Sequence, residues 1–402
     1  GRRYHGVCVH PPAAEVNRDA VDALYKAAPG TIFLDDDFRL APSPHDIGGC
    51  FCEKHREAFL KKHGYSDTQW AELIDSVNQR SLTPLVRAWL ENACDELTAC
   101  FRVQQQAVPE GMLGIMIMYF GSEKAGIRLS DYAEVPVRVG EFMFSDDVFT
   151  PVKGKTDELF SALFHRRYVR PENAYSETTA WPPDGLSVTN LAAKFAISTI
   201  ADVRNTMLMS GITPYPIDYW DTLAAAIKNH APMHECLAGH VLRGPFKHYW
   251  GERSRWVGDS NPFSLFLAVG IPFEVSNEEM AEDGYTFLSD ADARAVAEGK
   301  LKTRGSVLIC RHNPGITTAV ARHVEESLDA LFALKHELIP GLCDVPYVVE
   351  DLPVVCAWYP TAETVALWNL LEQEQRYTVS FKGKTFSVTV APLGMRLLNY
   401  KG

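Results

Sequence analysis

Thr31-Ile32-Phe33-Leu34-Asp35-Asp36-Asp37-Phe38 decides how this chain is read. Its apolar run is short and continuous, the pattern of a strand covered on both faces, as in a parallel sheet. Upstream, Val16, Val21, Leu24, Tyr25 and Ala28 recur at helical spacing over 15–28, and Pro29-Gly30 stops that helix. Residues 6–10 read as an earlier strand. Strand, helix and strand in so short a span is the unit of a parallel α/β fold. The second strand runs into three adjacent carboxylates, so its end is a candidate for chemistry as well as structure.

The same alternation continues downstream. Helices are expected over 53–63 and 67–104, the second broken at Pro84. Strands are expected at 112–119, 137–144, 174–178 and 206–210, with helices at 154–168 and 188–202. That gives six strands, around residues 8, 33, 116, 141, 175 and 208, in the order of a (β/α)8 barrel of the TIM type. A closed barrel needs eight. Either the first strands precede residue 1, or the sheet is incomplete or closes differently; the sequence leaves this open.

Beyond about residue 232 the pattern changes. Short strands at 246–251, 272–275, 286–288 and 306–310 alternate with helical stretches at 261–269, 290–299 and 315–330. This predicts a Rossmann-like or flavodoxin-like domain, without the Gly-x-Gly-x-x-Gly turn of dinucleotide binding. From 344 the residues alternate as in antiparallel strands, and Lys382-Gly383 suits a tight hairpin. The expected domains are a barrel over 1–232, a Rossmann-like domain over 233–343 and a small β-domain over 344–402.

The 402 residues carry a net charge of -12, which argues against a nucleic-acid partner, since a phosphate backbone wants a basic face. No run approaches the length of a membrane span, and the start reads as a strand and not as an export signal. A cytoplasmic setting is the expectation. The nine cysteines do not suggest a disulfide framework in a chain of this size. Cys94, Cys100, Cys236, Cys310, Cys343 and Cys356 lie in apolar surroundings and read as core residues.

In barrels, chemistry sits at the C-terminal ends of strands. Three adjacent carboxylates, Asp35 to Asp37, repel one another and call for a cation, an arginine such as Arg39, or a task. Asp35 and Asp37 share a face of an extended strand, and Asp36 does not. The alternative is a solvated loop with an N-cap. Glu177, in Tyr175-Ser176-Glu177-Thr178-Thr179-Ala180-Trp181, fits a nucleophile beside an aromatic platform; the alternative is an exposed loop residue. Glu141, near Asp146 and Asp147, sits in an apolar run close to Arg138, which suits a buried ion pair as well as a substrate contact. Two carboxyl groups are what glycoside hydrolysis requires, one as proton donor and one as nucleophile or base. Tyr175, Trp181, Tyr215, Tyr219 and Trp220 fall near strand ends, where flat rings pack on sugar C–H faces as readily as on a core.

These blocks resemble glycoside hydrolase family 42, the clan A β-galactosidases. Thr31 to Phe38 stands where that family has a strand ending in Asp-Asn-Glu-Tyr; Gly49-Cys50-Phe51-Cys52-Glu53-Lys54-His55 resembles its Cys-x-Cys-x-x-Cys segment; Glu177 falls on the strand that carries its nucleophile. The resemblance implies a carbohydrate substrate, Asp37 as acid/base, Glu177 as nucleophile, and Asp35, Asp36, Arg39, Glu141, Tyr175 and Trp181 around the sugar. It implies no cofactor for catalysis, and a homotrimer formed through the Rossmann-like domain. Asp37 replaces the family's acid/base Glu and is one CH₂ shorter; Asp36 replaces its Asn.

The family's zinc-bearing members use four cysteines, and Cys8, Cys50, Cys52 and His55 fall near those positions, with His10 and His45 as substitute ligands. Soft ligands without a carboxylate imply a closed, structural zinc site. The alternative is ordinary thiols and a surface histidine. Two competing functions remain: a catalytically silent carbohydrate-binding or scaffold protein on the same fold, and a metal-dependent hydrolase using Asp35 to Asp37 as oxygen ligands.

Overall fold

The structure, a computed structural model, describes residues 9–35, 38–43, 46–117, 120, 123–139, 144–276, 279–312, 315–316, 321–342 and 344–401. The chain divides into two compact units. One comprises Gly1–Val139, Tyr168–Ala174 and Glu252–Asn261; the other comprises Gly140–Arg167, Tyr175–Gly251 and Pro262–Gly402.

In the first unit the quoted stretch forms the expected strand, Ile32–Leu34. It pairs in parallel with Leu113–Ile117, which pairs in parallel with Val137–Val139. The sheet takes these strands in chain order and continues to a fourth that starts at Ala174. Consecutive parallel order is the signature of successive βα units winding one way. Leu113–Ile117 is buried throughout, which explains its unbroken apolar sequence. The helix Ala13–Ala27 and the helix Pro84–Gln105 pack on one another. The break at Pro84 is real: Asp67–Asn78 ends before it, Pro84 opens the next helix, and Thr83 caps that helix by accepting from the Val86 N–H at 3.3 Å. Proline suits a first helical turn because its missing N–H would have had no partner there. Phe59, Leu73, Val86, Trp89 and Leu90 form one buried cluster with Trp256 and Val257.

In the second unit Thr178–Thr179 pairs in parallel with Leu208–Met209. The helices Val188–Ile200 and Tyr219–Leu237 pack together. The latter runs through residue 232. Its buried residues are Leu223 and Leu237 alone, so Cys236, expected in the core, is exposed. The described strands of the six-strand series make the four-stranded sheet and this separate pair, and the description that holds is parallel α/β.

A five-stranded parallel sheet follows, in the order Ala321–His323, Val307–Cys310, Tyr285–Leu288, Phe246–Tyr249, Phe273–Ser276. Numbered within the domain this is 2-1-3-4-5 read from the other edge, the flavodoxin-like order. Two expected helices are corrected. Over 261–269 only the short 3-10 turn Leu265–Ala268 forms. Over 315–330 the described residues give the strand Ala321–His323, and the helix starts at Leu328, where Ser327 accepts from the Ala330 N–H. The cap residue, and not the apolar spacing, sets that start.

The chain ends in two three-stranded antiparallel sheets. One contains Tyr347–Val348, Gln375–Phe381 and Lys384–Val390; the other contains Val354–Tyr359, Thr364–Asn369 and Met395–Asn399. Their inward residues Val348, Val354, Cys356, Val365, Leu367, Tyr377, Val379 and Val390 form one core. Phe381 pairs with Lys384 across a two-residue turn in which Lys382 has φ 52° and Gly383 φ 73°. Positive φ at both positions is the geometry that matches the twist of a hairpin.

Candidate functional site

Asp35 ends the Ile32–Leu34 strand with its side chain largely exposed. The buried Arg138 guanidinium, on the adjacent Val137–Val139 strand, donates to it at 3.1 Å and lies over the Phe33 ring. Arg138 was expected near Glu141, which lies outside the described residues; among the described residues it meets this first carboxylate of the triplet. Arg39 turns its Nε–H to the Ala41 carbonyl at 3.0 Å. Asp36, Asp37 and Glu141 lie outside the described residues.

In the second unit Glu177 is not the exposed loop residue of the alternative reading: it is 3% exposed. It sits where Ala174–Tyr175 passes into Thr178–Thr179, and its chain neighbours fix its direction. The amide groups of Ser176, Thr178 and Ala180 donate to the carbonyls of Asn205, Met207 and Met209. The alternate residues therefore hold the ladder, and Glu177 points the other way from Ser176 and Thr178. Thr179 Oγ1 donates to Glu177 Oε1 at 3.2 Å.

Four residues on, Trp181 is 59% exposed. Its ring rests over Gly211, where a Cβ would come to 3.0 Å from the indole. Ile212 beside it is fully exposed. Tyr215 is tied to the same strand ends, its hydroxyl donating to the carbonyls of Thr178 and Met209, and it contacts the rings of Tyr219 and Trp220. Tyr175 is half-buried. Glu177 and these aromatic residues come from neighbouring strand ends of one unit.

A second cluster lies in the first unit. His10 Nε2 is 3.2 Å from Cys52 Sγ, and Cys52 Sγ is 3.3 Å from His55 Nδ1. The two imidazole rings stack with centroids 4.0 Å apart. One donor atom from each of the three residues lies within 4.8 Å of the others. Burial, and for His10 also the neighbouring His55, pulls both imidazoles below the usual histidine range. On its far side His55 Nε2 meets Glu96 Oε2 at 3.2 Å, and Asn92 donates to the other Glu96 oxygen at 2.8 Å. Cys52 caps the helix Glu53–His63, which places His55 on its first turn. The preceding loop is pinned to Trp89, which donates to the Gly48 carbonyl at 3.1 Å and packs on Phe51. Cys50 is not part of the three-residue group, and Cys8 and His45 lie outside the described residues. Sequence reasoning held His10 only as a substitute ligand. It missed Glu96 altogether, since an acidic residue inside a long helix carries no spacing signal toward a histidine 41 positions away.

In the flavodoxin-like part, the place where such sheets receive ligands is the end of the strands where the order reverses. There the buried Asp292 carboxylate accepts from the Gly251 N–H at 2.9 Å and from Ser289 Oγ at 3.2 Å. The chain's own carboxylate takes the donors that a ligand's anion would use.

Together these features define a parallel α/β scaffold with polar strand ends, followed by a flavodoxin-like sheet and a β-sandwich. No protein-family model matches the chain, and no curated protein matches it. Solved structures share the fold. The GH42 β-galactosidase Gan42B aligns with 98% of this chain and 83% of its own, at 12% identity and a TM-score of 0.56. The β-galactosidase of Bacillus circulans sp. alkalophilus covers 98% of this chain and 84% of its own, at 11% identity and a TM-score of 0.60. That of Rahnella sp. R3 covers 99% and 83%, at 12% identity and a TM-score of 0.56. The fold is therefore GH42-like. Among the described residues no helix is long and apolar enough to cross a membrane.

Proposed function

We propose that this protein is a glycoside hydrolase that cleaves a β-linked sugar, with Glu177 as nucleophile and Asp37 as acid/base. The observation that carries the reading is Glu177 itself. A carboxylate withdrawn from solvent at a strand end, with a threonine hydroxyl on one oxygen and an exposed indole four residues on in the chain, suits attack on an anomeric carbon beside a sugar-stacking surface. The GH42-like fold supports it independently.

The chemistry needs two carboxyl groups in different protonation states. Asp37 protonates the departing glycosidic oxygen while the Glu177 carboxylate attacks; Asp37 then takes a proton from the water that releases the sugar. Asp35, Asp36, Arg39, Glu141, Tyr175 and Trp181 would contact the sugar. A homotrimer belongs to the same reading and is tested by mass in solution. The solved neighbours are named β-galactosidases, so aryl β-galactosides are the first substrates to try, followed by other aryl β-glycosides.

Glu177→Gln should lower kcat by on the order of 10³-fold or more while leaving the unfolding transition in place. Activity equal to wild type in that variant would remove Glu177 from the mechanism. A second reading, a catalytically silent carbohydrate-binding protein, is favoured by one feature: Asp37 stands where the resemblance implies a Glu. It predicts saccharide binding without turnover in the wild type. The metal-dependent alternative is weakened because Asp35 already has its countercharge in Arg138.

A further inference from the structure

The Val188–Ile200 helix crosses between the parallel strands Thr178–Thr179 and Leu208–Met209, so it starts at the carboxyl end of the first of them. Its first turn is held rigidly. One oxygen of Asp146 accepts from the Ser187 N–H at 2.8 Å, the Ser187 hydroxyl at 3.0 Å and Asn190 Nδ2 at 2.8 Å, and Asn190 Nδ2 also donates to Thr150 Oγ1 at 2.9 Å. Asp146, an acidic residue that the sequence set near Glu141, is thus taken up by the helix start. Opposite stand residues 370–374 and 391–394, two loops of the C-terminal β-sandwich, which are pinned to each other. Asn369 Nδ2 donates to the carbonyls of Gln373 at 2.8 Å and Ala391 at 3.0 Å, and the Leu393 N–H donates to the Leu371 carbonyl at 2.9 Å. Between the two walls is a gap of about 290 Å³, lined by Ser187, Thr189, Asn190, Glu372, Pro392 and Leu393.

What the walls leave unsatisfied indicates what the gap would hold. Asn190 is 3% exposed, yet its Oδ1 has no donor among the described residues. A buried amide oxygen without a donor is costly. The N–H groups of Val188 and Thr189, first and second in the helix, have no acceptor among the described residues, because a helix cannot satisfy them from within. Glu372, exposed, brings a carboxylate to the far wall, and Pro392 and Leu393 bring apolar surface. An anion would be repelled by Glu372 and by Asp146, and a bare cation by the N–H groups. A neutral ligand with hydroxyls that both donate and accept, and with an apolar face, suits all of these groups; a sugar ring is such a ligand. The volume falls at the small end of ligand pockets, which start at about 300 Å³, and suits one ring.

We infer that this gap is a second saccharide site, which holds one ring of a β-linked oligosaccharide away from the scissile bond. The Glu372 carboxylate and Asn190 Oδ1 accept from sugar hydroxyls, the N–H groups of the helix start donate to them, and Pro392 and Leu393 face the C–H bonds of the ring. The choice of a sugar rests on the glycoside hydrolase reading, although the gap shares no residue with those assigned to the reaction or to the sugar around it.

Hydrogen exchange followed by mass spectrometry tests the site without needing turnover. The unbonded amides of Val188 and Thr189 exchange fast, and a ligand that accepts from them slows them. The full chain carrying Glu177→Gln is mixed in turn with β-linked tetrasaccharides of galactose, glucose, xylose and mannose. At least one should slow exchange in peptides spanning 187–191 and 391–394. Glu372→Ala should weaken binding of that saccharide about tenfold, the worth of a hydrogen bond to a charged group. Thr189→Arg, whose longer side chain fills the gap, should abolish the slowing. Thr189 and Glu372 are both exposed, so neither change touches the core. Glu374→Ala, on the same loop but outside the gap, should alter neither binding nor exchange. No slowing with any of the four, or slowing undiminished in both Glu372→Ala and Thr189→Arg, would overturn the assignment. Turnover of aryl glycosides by the wild type is scored apart. Turnover without slowing at 187–191 keeps the hydrolase reading and removes the second site; slowing without turnover does the reverse.

Discussion

At the scale of the residue, burial separates groups that sequence treats alike. Glu158 and Lys194 are both fully buried in the second unit and meet at 2.6 Å, with the ammonium also over the Phe149 ring. Nothing in the sequence distinguishes them from surface charges, because their partnership crosses between two helices. Removing one member leaves the other buried without this countercharge. Lys194→Met should therefore cost about 3–5 kcal/mol, read by chemical denaturation; a loss below about 1 kcal/mol would show that the pair is solvated. The candidate site was legible at this scale in part. Glu177 and Trp181 stood out because a strand end can be read from apolar run length and turn residues. Arg138 and Glu96 did not, because each acts on a residue more than 40 positions away.

At the scale of the element, what was readable is what local chemistry dictates. Ile32–Leu34, the break at Pro84, the parallel strands of the flavodoxin-like sheet and the final hairpin follow from apolar runs, proline and a two-residue turn. The helix expected over 315–330 failed because apolar spacing in a short window does not separate helix from buried strand, and the Ser327 cap lay unnoticed within it. The hairpin gives a clean test. A Cβ at Gly383 would meet nothing within 4 Å, so only its backbone conformation resists substitution. Gly383→Ala should cost about 1–2 kcal/mol, seen as a lower denaturation midpoint. No change in midpoint would mean that the turn relaxes to another type.

At the scale of the whole molecule, the fold is retained at 11–12% identity to the solved β-galactosidases. Such a likeness preserves the layout of strands and leaves individual side chains free to change, which is why the layout was easier to read than the site. Global stability should carry a signature of the buried His248. Burial first, then the nearby Arg311, pushes its imidazole down to about 3, and its Nε2 accepts from the Phe263 N–H at 3.1 Å. The folded state therefore keeps it neutral where the unfolded chain takes up a proton. Its contribution is complete above the unfolded value near 6.5 and is lost as pH falls toward 3. Unfolding free energy measured across that interval should fall less steeply with acid in His248→Gln than in wild type; equal slopes would mean that the ring is protonated in the fold.

The seat of the Trp181 indole on Gly211 has a further consequence. The flat surface offered to solvent is shaped by the backbone that follows Leu208–Met209, whereas the nearby carboxylate is carried by the strand before it. On the proposed reading, the orientation of the indole depends on a stretch of polypeptide other than the one that carries the carboxylate, so changes around Gly211 would alter what is held before they alter the reacting group.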